Sequence, residues 1–186
     1  MIKVVIADDE AKVCQLICGL IDWKSIDMEI VGVAHNGIEA LELIKNHGPD
    51  LVITDIRMPG YDGLEIIHRG KQINKDMEFV IISGYSHFEY AQSAIKYGVS
   101  DYLLKPINKK ELLNTLNKIH KNYKQRTQQL SREEQLKLRL QNNIDKLRSG
   151  FFTEILLSKD ISQIKIDINK INEDYQFNFK QGYFQA

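Results

Sequence analysis

Leu51-Val52-Ile53-Thr54-Asp55-Ile56-Arg57-Met58-Pro59-Gly60-Tyr61-Asp62-Gly63 begins as an apolar run and turns polar at an aspartate. It then enters a Pro- and Gly-bearing loop, so it reads as a buried strand delivering a carboxylate to a sheet edge. Three other apolar runs end in the same way. Val4-Val5-Ile6-Ala7 precedes Asp8-Asp9, Phe79-Val80-Ile81-Ile82 precedes Ser83, and Tyr102-Leu103-Leu104 precedes Lys105-Pro106. A fifth strand is predicted at Ile30 to Ala34. Helical spacing lies between the strands: Val13, Leu16, Ile17 and Leu20; then Ala40, Leu41 and Ile44 after a turn at Asn36-Gly37; then Leu64, Ile66 and Ile67; then Phe88 to Tyr97. Runs one, three, four and five are nearly continuous rather than alternating, as in parallel strands covered on both faces. The pattern predicts an α/β fold: a five-stranded parallel, doubly wound, flavodoxin-like sheet with helices on both faces. Ligands in such sheets gather beyond the carboxyl ends of the strands. Topology thus places Asp8, Asp9, Asp55, Ser83 and Lys105 together.

Bulk properties exclude several classes. Of 186 residues, 43% are apolar and 27% charged, as expected for a soluble globular chain, and no run approaches a membrane span. No signal-peptide layout opens the chain, so a cytoplasmic location is expected, with no membrane partner. Cys14 and Cys18, one helical turn apart, read as small apolar fillers rather than a disulfide or a metal site. Net neutrality hides an asymmetry. Residues 1–107 hold 10 Lys+Arg and 16 Asp+Glu, whereas residues 108–186 hold 15 and 9. The basic half is scattered along a helical pattern and reads as a solvated face.

Converging carboxylates repel one another unless a cation is present. A hard divalent ion such as Mg²⁺ resolves this while leaving room for phosphate oxygens. Asp55 then stays anionic and able to accept a phosphoryl group as an acyl phosphate. Lys105 acts as a point charge on the phosphoryl oxygens, and Ser83 donates a hydrogen bond. The Lys105-Pro106 bond reads either as a cis peptide aiming the ammonium inward or as a plain turn. Singly, each group has a structural reading: a helix cap for Asp8 or Asp9, a turn for Ser83, a solvated side chain for Lys105. The joint arrangement on successive strand ends is what favours chemistry.

Beyond Asn108, which with Glu111 forms a capping-box-like pair, no Gly or Pro appears before Gly150. Alternate steps of four and three from Leu112 reach Leu116, Ile119, Tyr123, Arg126, Leu130, Glu133, Lys137, Leu140, Ile144, Leu147 and Phe151. Nine of these twelve positions are apolar, near a 3.5-residue seam. One long, imperfect helix that dimerises over residues 108–159 is expected. A break near Ser131, giving a hairpin, is the other reading. Residues 160–186 look like the start of a truncated middle domain.

Residues 1–120 resemble the receiver domain of two-component response regulators. The likeness lies in Val5-Ile6-Ala7-Asp8-Asp9-Glu10, Asp55 to Gly63, Ser83-Gly84 and Asp101-Tyr102-Leu103-Leu104-Lys105-Pro106. It implies that Asp55 is the phosphoacceptor and that Asp8, Asp9, Asp55 and the main-chain carbonyl of Arg57 hold Mg²⁺. It further implies a switch hydroxyl at Ser83, an aromatic switch at Tyr102, a phosphate-contacting Lys105 followed by Pro106, and a sensor histidine kinase as partner. Ile21-Asp22-Trp23 and the stretch Ser83 to Ala91 are similar to the AraC-type, YesN-like transcriptional regulators. That likeness implies transcription control through a homodimeric helical linker, with DNA bound only by a C-terminal domain outside this sequence.

Three other functions fit the fold less well. A haloacid-dehalogenase enzyme needs an aspartate two residues after Asp55, where Arg57 stands. A flavodoxin-like cofactor site needs a phosphate loop where Asp8-Asp9-Glu10 would repel phosphate. A stand-alone phosphorelay module remains the alternative, although it has no evident need of a coiled coil. The expected role is therefore a phosphoacceptor rather than a turnover enzyme.

Overall fold

Runs of Val, Ile and Leu form the strands because branched side chains fit a pleated surface buried on both faces. The computed structural model describes residues 1–84, 92 and 96–157. In chain order these give β1 (Ile2–Ala7), α1 (Ala11–Leu20), a 3-10 turn (Trp23–Ile26), β2 (Met28–Ala34), α2 (Gly37–His47), β3 (Leu51–Thr54), α3 (Gly63–Ile73), β4 (Glu78–Ser83), β5 (Asp101–Leu104) and α4 (Lys109–Leu157). The five strands form one parallel sheet in the order β2-β1-β3-β4-β5. The helix expected over Phe88–Tyr97 falls mainly outside the described residues, as do residues 160–186 and the Tyr85–Ala91 stretch.

Successive strand residues point to opposite faces, and each face has its own core. Val4, Ile6, Leu51, Ile53, Val80 and Ile82 meet Cys14 and Ile17 of α1 and Leu112, Leu116 and Ile119 of α4. Val5, Val52, Phe79 and Ile81 meet Ala40 and Ile44 of α2 and Ile66 and Ile67 of α3. Each such apolar side chain, fully buried, stabilises the fold by about 1.5–3 kcal/mol. Both faces of the central strands β1, β3 and β4 are therefore sealed, and their polar ends are left as the place where water reaches them.

Three local expectations need correction. Leu16 is 48% exposed, and Cys14 takes the core place on α1 beside Ile17, so the apolar stripe is shifted round the helix. Asn36-Gly37 is a helix start rather than a free turn: Asn36 Oδ1 accepts the Glu39 N–H at 2.9 Å and caps α2. The fifth strand is less fully buried than a continuous apolar run implies: of β5 only Leu103 is buried, and Leu104 is 46% exposed. Trp23 packs in the core and donates its indole N–H to the Cys18 carbonyl at 3.1 Å.

The β3–α3 loop is fixed by two glycines. The Gly37 N–H donates to the Pro59 carbonyl at 2.9 Å, and the Gly63 N–H donates to Ile56 at 2.8 Å. A Cβ on Gly37 would overlap the Tyr61 carbonyl oxygen, and one on Gly63 would overlap the Asp55 carbonyl oxygen. Both neighbours are backbone and cannot rotate away. Gly63→Ala is therefore expected to cost about 2–4 kcal/mol, measured as a lowered urea midpoint. An unchanged midpoint would show that the loop adapts freely.

The chain divides into two units, Met1–Gln125 and Arg126–Ala186. In the first, α4 is capped by Asn108, whose Oδ1 accepts the Lys110 N–H at 2.9 Å, and Thr115 Oγ1 donates to Asp101 Oδ2 of β5 at 2.6 Å. In the second, α4 continues unbroken through Ser131, with Leu130, Leu136, Leu138, Leu140 and Leu147 each 54–60% exposed. Among the described residues no helix is long and apolar enough to cross a membrane.

Candidate functional site

Parallel register brings the strand ends level. Ala7 pairs with Thr54, Thr54 with Ile81, and Ser83 with Leu104, so Asp8, Asp55, Ser83 and Lys105 cluster beyond one edge. Each is held by backbone. The Asp55 N–H donates to Ala7 at 2.9 Å, the Asp8 N–H to Ala34 at 3.1 Å and the Lys105 N–H to Ser83 at 2.8 Å. The Lys105-Pro106 peptide is cis, so of the two readings it is the cis bond that is found.

Carboxylate oxygens of Asp8, Asp9 and Asp55 all lie within 4.8 Å of one another. Asp8 and Asp55 are buried and Asp9 is exposed, which opens the cluster to solvent on one side. Asp55 Oδ1 accepts the Ile56 N–H at 2.6 Å, and Asp8 Oδ1 accepts the Glu10 N–H at 2.9 Å. Lys105 Nζ sits among the remaining oxygens, 2.9 Å from Asp8 Oδ2, 3.1 Å from Asp55 Oδ2 and 3.2 Å from Glu10 Oε1. The Asp8 approach is an ion pair without good hydrogen-bond direction, so the buried Oδ2 lacks a directed donor.

One ammonium does not balance this charge. Burial raises the Asp8 pKa above the usual carboxylate range, and Lys105 and the Glu10 N–H offset that only in part. Burial by itself would lower the Lys105 pKa, but its close ion pairs with Asp8 and Asp55 reverse this and leave it raised. Lys105 is thus firmly cationic while its partners remain under-neutralised. An undirected buried oxygen, a net negative pocket and a hard oxygen donor set fit a divalent cation of the Mg²⁺ type.

The other expected groups lie close by. Ser83 is fully buried at the end of β4. Tyr102 is half-buried on β5 against the core formed with α2 and α3. Arg57 is exposed in the loop two residues past Asp55. Glu10 joins the site although it ends no apolar run, and its place beside Asp8-Asp9 is the one sequence signal for it. Cys14 is buried with its Sγ 3.4 Å from the Asp8 carbonyl, and burial pushes the thiol up to about 11, which suits a packing role.

Residues 4–117 match the response regulator receiver domain family. Bacillus subtilis YesN, an uncharacterized transcriptional regulatory protein, is 43% identical over 119 residues, covering 64% of this chain and 32% of that protein. Staphylococcus aureus transcriptional regulatory protein HptR is 40% identical over 112 residues, covering 60% and 44%. The chain therefore spans less than half the length of these curated relatives. Among solved structures, the receiver domain of AraT, a response regulator from Geobacillus stearothermophilus, superposes with a TM-score of 0.65 at 39% identity, covering 68% of this chain and 98% of that one.

Proposed function

The chain belongs to the response regulator receiver domain family, and from that premise we propose that Asp55 accepts a phosphoryl group from the phosphohistidine of a sensor histidine kinase. The observation that carries this is the Lys105 ammonium seated between Asp8 and Asp55, at the mouth of a cluster that also holds Asp9. An Asp55 carboxylate oxygen attacks phosphorus and the phosphohistidine P–N bond breaks. The imidazole leaves with the electron pair and is reprotonated by solvent, while Asp55 becomes an acyl phosphate. Asp8, Asp9, Asp55 and the main-chain carbonyl of Arg57 would hold a Mg²⁺ ion, which would supply positive charge against the phosphoryl oxygens. Lys105 pairs with a further phosphoryl oxygen and Ser83 donates to another.

Phosphate becomes signal because Ser83 and Lys105 gain partners in only one of two conformations. Tyr102 fills the space that Ser83 and its loop vacate. Asp101, next to Tyr102, holds Thr115 of α4 through a 2.6 Å hydrogen bond, so a shift in β5 reaches the helix. The helix pairs with that of a second copy over residues 108–159 and passes the change to a DNA-binding domain outside this sequence, controlling transcription. A cytoplasmic setting accords with a kinase partner.

Acetyl phosphate with Mg²⁺ is expected to add one phosphoryl group, read by intact mass and lost in EDTA. In Asp8→Asn the uptake should fall at least about a hundredfold. The same variant should melt higher than the parent in EDTA at neutral pH. A carboxyl whose folded pKa is raised contributes stability below its unfolded pKa and loses it as pH rises through the folded one, so ionised Asp8 weighs against the metal-free fold. Metal-independent uptake would remove the metal from the account.

A further inference from the structure

Lys105 has three N–H donors and meets three carboxylates of its own chain, Asp8 at 2.9 Å, Asp55 at 3.1 Å and Glu10 at 3.2 Å. Asp8 and Asp55 also belong to the carboxylate cluster suited to a metal, whereas Glu10 stands outside it with a side chain 63% exposed. An ammonium and a divalent cation cannot both sit against the same Asp8 and Asp55 oxygens, since like charges at contact distance repel. Metal entry therefore has to move the Lys105 head. If it moved into bulk water, it would be lost as a phosphoryl contact. Glu10 already accepts one of its donors at the rim.

We propose that Glu10 is a positioning residue that receives Lys105 when a divalent cation displaces it from Asp8 and Asp55. It thereby eases metal entry and keeps the ammonium at the mouth of the site. This rests on the metal reading of the Asp8, Asp9 and Asp55 cluster. Glu10 would also attract a cation simply by its charge, so a single variant does not isolate the exchange. A double-mutant cycle with Lys105 does.

The measurement is calorimetric Mg²⁺ titration of the full chain. Glu10→Gln is expected to raise Kd about three- to fivefold, the scale of an exposed ion pair. Lys105→Met, which keeps the apolar stem, removes the competing charge and should tighten Mg²⁺ at least about tenfold. In that background Glu10→Gln should change Kd by less than about twofold, because no ammonium needs receiving. Equal weakening in both backgrounds would reduce Glu10 to a distant charge and overturn the exchange. So would an unaltered Kd in the presence of Lys105. A parent chain that takes up no Mg²⁺ would overturn the metal reading and this proposal with it.

Discussion

Asp55→Asn is expected to take up no phosphoryl group above background from acetyl phosphate and Mg²⁺, since removing a catalytic nucleophile costs on the order of 10⁶-fold. The amide oxygen is far less nucleophilic than a carboxylate, and an acyl phosphate cannot form from it without expelling ammonia. The fold should survive. Asn keeps an oxygen for the Ile56 N–H that Asp55 Oδ1 now accepts at 2.6 Å. It also removes one negative charge from a pocket where a single ammonium faces Asp8, Asp55 and Glu10. The melting temperature without metal should therefore hold or rise while phosphoryl uptake vanishes. That pairing separates lost chemistry from lost structure. Full incorporation in the variant would move the acceptor to another carboxylate, with Asp9, the exposed member of the cluster, as the first to check by peptide mapping.

The site was legible because its chemistry sits at strand ends, where a nearly continuous apolar run stops at a polar residue. Asp8, Asp9, Asp55, Ser83 and Lys105 each interrupt such a run, so parallel topology alone converges them. Contacts set by side-chain reach were not legible. Glu10 looks like one more acid in a helix start, and only the geometry brings its Oε1 within 3.2 Å of Lys105, 95 residues away. Thr115 reads as an ordinary helical residue until its hydroxyl is found 2.6 Å from Asp101. The misplacement of Leu16 has a plain cause. Cys14, read as a small apolar filler, does fill the core position and turns its bulkier neighbour outward. The edge place of β5 follows from the flavodoxin-like strand order, whereas the exposure of Leu104 cannot be read from its apolar run.

Replacing Arg126, Glu133 and Lys137 together by leucine is expected to make the chain a dimer whether or not Asp55 carries phosphate. These are the three charged positions of a twelve-position seam, and in a parallel, in-register pair each meets its own copy. Like charges facing across a seam oppose pairing, while the seam leucines on either side, Leu130, Leu140 and Leu147, are 54–60% exposed and favour it. Helix α4 is continuous across the charged stretch, so removing the charges extends one apolar stripe without repairing a break. The first part of the seam is already used: Leu112, Leu116 and Ile119 are buried in the core of their own unit. On the proposed dimer, pairing is expected to depend on the second part, with the opposed charges keeping it weak enough for phosphorylation to control. Burying six leucines in place of six charges per dimer should tighten dimerisation at least about a hundredfold, even allowing for strong non-additivity. Sedimentation equilibrium with and without beryllofluoride measures this directly. The parent should shift toward dimer only with the phosphate mimic, and the triple variant should be dimeric in both. A triple variant that stays monomeric would show that the seam does not face a second copy. One that still needs beryllofluoride would place the control in the receiver rather than in the charged layers.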